Sequence, residues 1–210
     1  MNEPLAAGEL WVGLVIAVGI DAAAPPIMLH LEARRTRPTL TNLDELLHHD
    51  LGDIYDAEHR FLEAQAEMLA AATDRELKKM IKAHMVQTKG YIERLEQGYE
   101  LLGLKPKRVK CPVAVGLVKE SQDGLEDSEG HPKVRDCVIA CAAAKVEHYE
   151  ISSYRTLVAA ADTLGHDELL ALFQANLAEE EETASKIEWS TPALLEKAAA
   201  KRRVASNVGA

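Results

Sequence analysis

A chain of 210 residues is long enough to bury a sizeable core in one domain and still carry an appendage. Its formal charge of −10 argues against a nucleic-acid partner, because phosphate contacts need clustered Lys and Arg. Aromatic residues make up only 4% while Ala, Leu, Glu and Lys predominate, which favours helices over sheets.

Residues 1–40 read as an amino-terminal extension. Leu10 to Ile20 is an uncharged apolar run of 11 residues, short of the roughly 20 that span a bilayer, so no membrane span is expected. Glu3 and Glu9 stand where a signal peptide carries positive charge, and the first cation is Arg34. Three readings stay open: a helix packed loosely on the domain, a membrane-surface or partner-binding segment, or a start assigned too early, with Met28 as the alternative. Ala22 to Pro26 interrupts any helix, and Arg34 to Pro38 reads as a polar linker.

Regular patterning begins at Thr41. Thr41-Asn42-Leu43-Asp44 has the form of a capping box, and Leu43, Leu47, Leu51, Ile54, Glu58 and Leu62 share one helical face. A glutamate stands in the middle of that stripe. A second box, Thr73-Asp74-Arg75-Glu76, opens the next helix, whose stripe includes Leu77, Ile81, His84, Gln87, Tyr91 and Leu95. That helix is expected to end at Gly103, ahead of Pro106.

Lys105 to Lys110 is a short basic run and reads as a solvated linker. Val113 to Val118 is apolar enough for a short helix, and Gln122 to Gly130 is acidic with two glycines. Together they read as a connection crossing from one helix pair to the other. Cys111, Cys137 and Cys141 form no C-x-x-C pair, which fits free thiols in a reducing compartment, the cytoplasm.

A long helix is expected from about Pro132 to Leu164, closed by Gly165. Its stripe holds Ala140, Ala143, Glu147, Glu150, Tyr154, Leu157 and Ala161, so two carboxylates occupy places where aliphatic side chains belong. The last long helix starts near Asp167 with Leu169, Phe173, Leu177, Glu180, Ala184 and Ile187. A run such as Glu179 to Glu182 usually marks a solvated face, yet the period singles out Glu180. Residues 191–210, with Pro192 and a basic Lys201-Arg202-Arg203, read as a short helix or a frayed tail, leaving 41–190 as the bundle.

Each helix thus carries an inward polar group near its middle: Glu58, then His84 with Gln87, then Glu147 with Glu150, then Glu180. A lone histidine on an apolar face is more often a hydrogen-bonded core residue than a ligand, and a lone glutamate more often a stripe-edge residue. Four helices doing so at once point to an all-α four-helix bundle holding metal in its core. Four carboxylates repel unless they take up protons or cations, and two divalent ions balance them while neutral His84 supplies a nitrogen. An interhelical salt-bridge network lacks partners, since the same stripes contain almost no Lys or Arg. Ser152 and Ser153 are not in a nucleophile elbow, and no glycine-rich phosphate loop appears.

Asp53-Ile54-Tyr55-Asp56-Ala57-Glu58, His84-Met85-Val86-Gln87-Thr88, Arg94-Leu95-Glu96, Cys111-Pro112-Val113-Ala114-Val115-Gly116-Leu117 and Val146-Glu147-His148-Tyr149-Glu150-Ile151 closely resemble the YciE/YciF-type ferritin-like stress proteins. The match continues through Tyr154 and Leu177-Ala178-Glu179-Glu180, covering about residues 41–190. The resemblance implies a ferritin-like bundle with a crossover between its second and third helices, a homodimer, and a dinuclear centre. It implies iron first and manganese second, held at Glu58, His84, Glu147, Glu150 and Glu180. Gln87 stands where the family usually has glutamate, and Ala184 where it tends to have aspartate, so this centre should hold its metals less tightly.

Such a centre is expected to react with iron, oxygen or peroxide. The alternative is a non-catalytic stress or interaction protein whose metal site is structural or degenerate. Tyr55, Tyr149 and Tyr154 are close enough in sequence to the ligands to bond them, although packing residues with a wet hydroxyl are the commoner case. His148 points about 100° away from Glu147 around the helix, toward a neighbouring helix or subunit.

Overall fold

The computed structural model describes residues 39–207, and beyond residue 200 only the helical backbone. The readings made for residues 1–38 lie outside the described residues. Among the described residues five helices follow one another: α1 (Leu43–Ala71), α2 (Arg75–Leu101), α3 (Pro112–Asp127), α4 (Pro132–Leu164) and α5 (Asp167–Asn207). No strand occurs among the described residues.

Capping chemistry sets the starts, one residue later than the sequence suggests. Asn42 caps α1, its Oδ1 accepting from the Glu45 N–H at 2.8 Å. The longer Glu45, rather than Asp44, reaches back to the N–H and hydroxyl of Thr41 at 2.7 and 2.9 Å. Asp74 caps α2, accepting from the N–H groups of Glu76 and Leu77. Thr73 is drawn away from that role because Asp136 of α4 accepts both its N–H and its hydroxyl at 2.6 Å. Gly103 and Gly165 end α2 and α4 at φ 66° and 72°, a left-handed backbone that glycine adopts without a Cβ clash.

Lys105 to Lys110 is a largely exposed, non-helical segment, as expected of a solvated linker, and it is anchored to the bundle at two points. Val109 donates to the Gly52 carbonyl at 2.9 Å, and the Tyr99 hydroxyl donates to the Lys107 carbonyl at 2.8 Å. A Cβ on Gly52 would lie 2.6 Å from a Val109 methyl, so glycine is what lets the strap lie against α1. The short helix expected at Val113–Val118 extends to Asp127 and takes in most of the acidic stretch. Cys111 caps it through Sγ, which accepts from the Ala114 N–H, and Pro112 occupies the first turn. α3 then packs across α1 and α4.

α5 also corrects the expectation for residues 191–210. The helix runs on through Pro192 instead of stopping. Hydroxyls of Ser190 and Thr191 donate to the Ile187 carbonyl just before the proline, and Leu194 is buried beyond it. Packing of Leu194 beside Leu77, Met68 and Ile139 outweighs the backbone bond that Pro192 removes.

α1 pairs with α2 and α4, and α5 pairs with α2 and α4, giving a four-helix bundle of ferritin-like type with α3 laid along one side. Its core has two apolar clusters. One gathers Leu47, Leu51, Ile54, Leu95, Leu157 and Phe173; the other gathers Met68, Leu77, Ile81, Ile139 and Leu194. The inward polar side chains form a layer between them.

Candidate metal centre

The 3.6-residue period brings each polar group to the layer from a different helix. Glu58 follows Ile54 by one turn on α1, and His84 follows Ile81 on α2. Glu147 and Glu150 are adjacent on one face of α4, and Glu180 continues the face of Phe173 and Asn176 on α5. Glu58 and Glu180 are 0% exposed, Glu147 and Glu150 1%, and His84 7%.

His84, Glu147, Glu150 and Glu180 each offer a ligand-capable atom within 4.8 Å of the other three. Glu58 abuts Glu150 at the side of this group. His84 Nε2 lies 3.1 Å from Glu147 Oε1 without the alignment of a hydrogen bond. Both His84 nitrogens, both Glu180 oxygens and the Oε2 atoms of Glu58, Glu147 and Glu150 are buried with no hydrogen-bond partner among the described residues. Among the described residues, no Lys or Arg forms an ion pair with any of these four carboxylates.

The electrostatics follow from that crowding. Burial pushes the Glu58 carboxyl up to about 7, against the opposing pull of the Tyr154 hydrogen bond and His84. Burial and the neighbouring carboxylates also hold Glu150 and Glu180 well above the usual carboxylate range. For His84, burial alone lowers the pKa, but Glu147 and Glu58 outweigh it and the net direction is upward. Such a group is stabilised by protons or by cations. Its mixed carboxylate and imidazole donors suit first-row divalent ions, so the residues fit a metal site.

Gln87, one turn on from His84, is partly buried beside that ring and adds an amide where the resemblance implies a carboxylate. Ala184, buried one turn beyond Glu180, offers no ligand atom. Of the three tyrosines considered from sequence, only Tyr154 reaches a candidate ligand, donating to Glu58 Oε1. Tyr55 instead donates to Glu96 at 2.7 Å, and Tyr149 to Asp53 at 2.9 Å with Cys111 Sγ 3.0 Å away. His148 faces α5, its Nε2 2.9 Å from Glu188 at the surface.

Sequence reasoning missed the support behind Tyr154. Asn176 Nδ2 donates to the Tyr154 hydroxyl at 2.9 Å, and Arg94 Nε donates to Asn176 Oδ1. Arg94 also donates to Glu179 at 2.9 Å, so a chain of bonds runs from Glu58 to the surface. Asn176 was detectable: it lies three residues after Phe173 and four before Glu180. Tyr91, wholly buried with an unpartnered hydroxyl, has its ring centroid 6.2 Å from that of His84.

Fold and site together define an all-helical, ferritin-like bundle whose interior gathers one histidine and several glutamates able to take up metal. The chain belongs to the family described as a domain of unknown function, DUF892, whose model matches residues 42–200, and it is of the YciE/YciF type. It is 37% identical over 149 residues to protein YciF of Escherichia coli, covering 70% of this chain and 89% of that protein. The crystal structure of that stress protein superposes with a TM-score of 0.71, covering 75% of this chain and 99% of the other. The protein YcfI of Rhodopseudomonas palustris is 38% identical with a TM-score of 0.69, covering 72% of this chain and 96% of the other. The fold alone extends to a Xanthomonas campestris protein, 23% identical with a TM-score of 0.64, over 77% of this chain and 99% of that one. No described helix is long and apolar enough to cross a membrane.

Proposed function

We propose that this chain is a metal-binding bundle protein, acting as a homodimer in the bacterial stress response, whose centre takes two divalent ions, iron or manganese. The observation that carries this reading is the set of unpartnered buried atoms on Glu58, His84, Glu147, Glu150 and Glu180. Two dications balance the four carboxylates and give those lone pairs partners. Glu147, Glu150, Glu180 and His84 supply the shared group, Glu58 supplies the flank beside Glu150, and Gln87 adds a weak neutral ligand. When bound, such ions supply reversible redox chemistry toward oxygen or peroxide.

The chain's own contribution is to hold these donors in a buried layer. Tyr154 orients Glu58 through its hydroxyl, and Asn176 and Arg94 fix that hydroxyl in turn. The three cysteines are free thiols, in keeping with the cytoplasm. Elemental analysis after iron or manganese loading, run beside peroxide-consumption and ferrous-oxidation assays, tests the reading. Turnover that disappears in Glu147→Ala supports it. The second reading, a structural or degenerate site, rests on Gln87 and Ala184 in place of acidic residues; a structural site predicts stabilising metal without turnover, and a degenerate one only trace metal per chain.

A further inference from the structure

An apolar cavity of about 240 Å³ borders the same centre and draws its lining from α1, α2, α3, α4 and α5. Its walls include Phe61, Met68, Ile81, Ala140, Val146 and Ile187, one or more from each of α1, α2, α4 and α5. Its floor is polar: His84, Gln87 and Glu147 line it. His84 is more than nine-tenths buried and neither ring nitrogen has a hydrogen-bond partner, so the cavity ends on an unsatisfied polar group. Gln65 also reaches the lining, but it is committed to Thr88 at 3.0 Å. Apolar walls give water few partners, and an unfilled cavity forfeits contacts along its whole lining.

We infer that this cavity binds a neutral aliphatic molecule of about eight to ten carbons, with its single polar end group against Gln87 and His84. The size follows from scale, since an apolar cavity of about 150 Å³ accommodates benzene. The neutral head follows from charge. A carboxylate head would meet the Glu147 carboxylate at the floor, whereas an alcohol, aldehyde or amide both donates to and accepts from the Gln87 amide. At the mouth, Lys79 and Lys186 are exposed and already paired with Glu76 and Glu182 at 2.9 and 2.8 Å, so neither calls for an anionic ligand. That such a molecule is the substrate of the centre rests on the metal reading above; that it binds does not.

The test titrates linear alcohols from 1-butanol to 1-decanol into the metal-free full-length chain, followed by calorimetry and by the NMR signals of His84 and Ile187. Affinity should rise about fourfold for each added methylene, the effect of burying one CH₂ group, and level off near ten carbons. Ala143→Leu and Ala83→Leu, which narrow the cavity at a partly buried and an exposed lining position, should each weaken 1-octanol at least tenfold while leaving metal stoichiometry unchanged. Alcohols that do not bind saturably, binding unaffected by both substitutions, or a cavity that takes xenon but no alcohol would overturn the inference. Metal uptake without alcohol binding sinks the cavity proposal alone, and alcohol binding without metal uptake sinks the metal reading alone.

Discussion

Asp56 and Glu58 stand two residues apart on α1, both buried, and their surroundings could hardly differ more. Asp56 accepts from Arg60 at 2.6 Å, from Arg108 at 2.8 Å and from the Cys111 N–H at 3.0 Å. Burial raises its pKa, but these three donors together outweigh burial and the carboxyl ends below its usual range. Glu58 has one phenol, one unpartnered oxygen and a cluster of other carboxylates beside it, and its pKa goes the opposite way. A buried carboxylate is therefore no sign of a site in itself. What distinguishes the centre is that, among the described residues, no Lys or Arg pairs with its carboxylates, which share a single histidine.

The largest effect that separates the two regions is metal loading. At a free-ion concentration of 1,000 times Kd, binding to the folded state alone adds about 4 kcal/mol to stability. Thermal melts with and without iron or manganese should show that rise, and a chelator should abolish it. Identical melts would contradict the account.

Substitution at the paired aspartate comes next. Asp56→Ala orphans the buried Cys111 N–H and frees two guanidinium groups that reach solvent, for a loss of roughly 2–3 kcal/mol whether or not metal is present. Glu58→Gln should leave the metal-free protein as stable as before or more so, because it removes a repelling charge, and should weaken metal binding. Urea titrations of both variants, each with and without metal, check the contrast. Equal losses in the metal-free state would mean the two carboxylates do the same structural job.

Gln87→Glu sharpens the comparison by restoring a charge. Metal affinity should tighten roughly tenfold, the scale on which a ligand's partners move it. The metal-free variant should melt lower at neutral pH. Competition with a calibrated chelator reads the first effect and calorimetry the second.

The mildest effect is a drift with pH. Glu58 ionises near 7 in the fold against a usual 4.5, so between those values the folded chain keeps protons that the unfolded chain has released. The stability that Glu58 contributes to the metal-free protein in this way is fully present below about 4.5 and is lost as pH rises through about 7. Glu150 and Glu180 act in the same direction, as does His84, whose raised pKa favours the fold at lower pH. Asp56 opposes this only in stronger acid, where its lowered carboxyl takes up a proton and its stabilisation disappears. Melting temperatures across pH 4 to 8 should fall without metal. A metal-free protein that gains stability over that span would contradict the unpaired state of the centre.

Helical periodicity carried most of what the sequence revealed. Stripes through Ile54, Ile81 and Tyr91, Tyr154 and Leu157, and Phe173 are buried, with Leu62 and Leu177 packed partly buried against them, and Glu58, His84, Glu147, Glu150 and Glu180 stand inward with them. Contacts between helices were less legible. Period places Tyr55, Tyr149 and Tyr154 near the centre, but only the packing of α1 against α2 sends Tyr55 to Glu96 and leaves Tyr154 for Glu58. Thr73 looks like a cap until Asp136, 63 residues away, takes both its donors. Pro192 reads as a stop because local rules cannot register that Leu194 packs beyond it.

Anomalous scattering at the iron and manganese edges, from crystals grown with those metals, addresses the unpaired cluster most directly. The account predicts strong peaks bounded by His84, Glu147, Glu150 and Glu180, with Glu58 turned toward them. Crystals that show no peak there, with the four carboxyl groups bonded to one another as protonated acids, would contradict it.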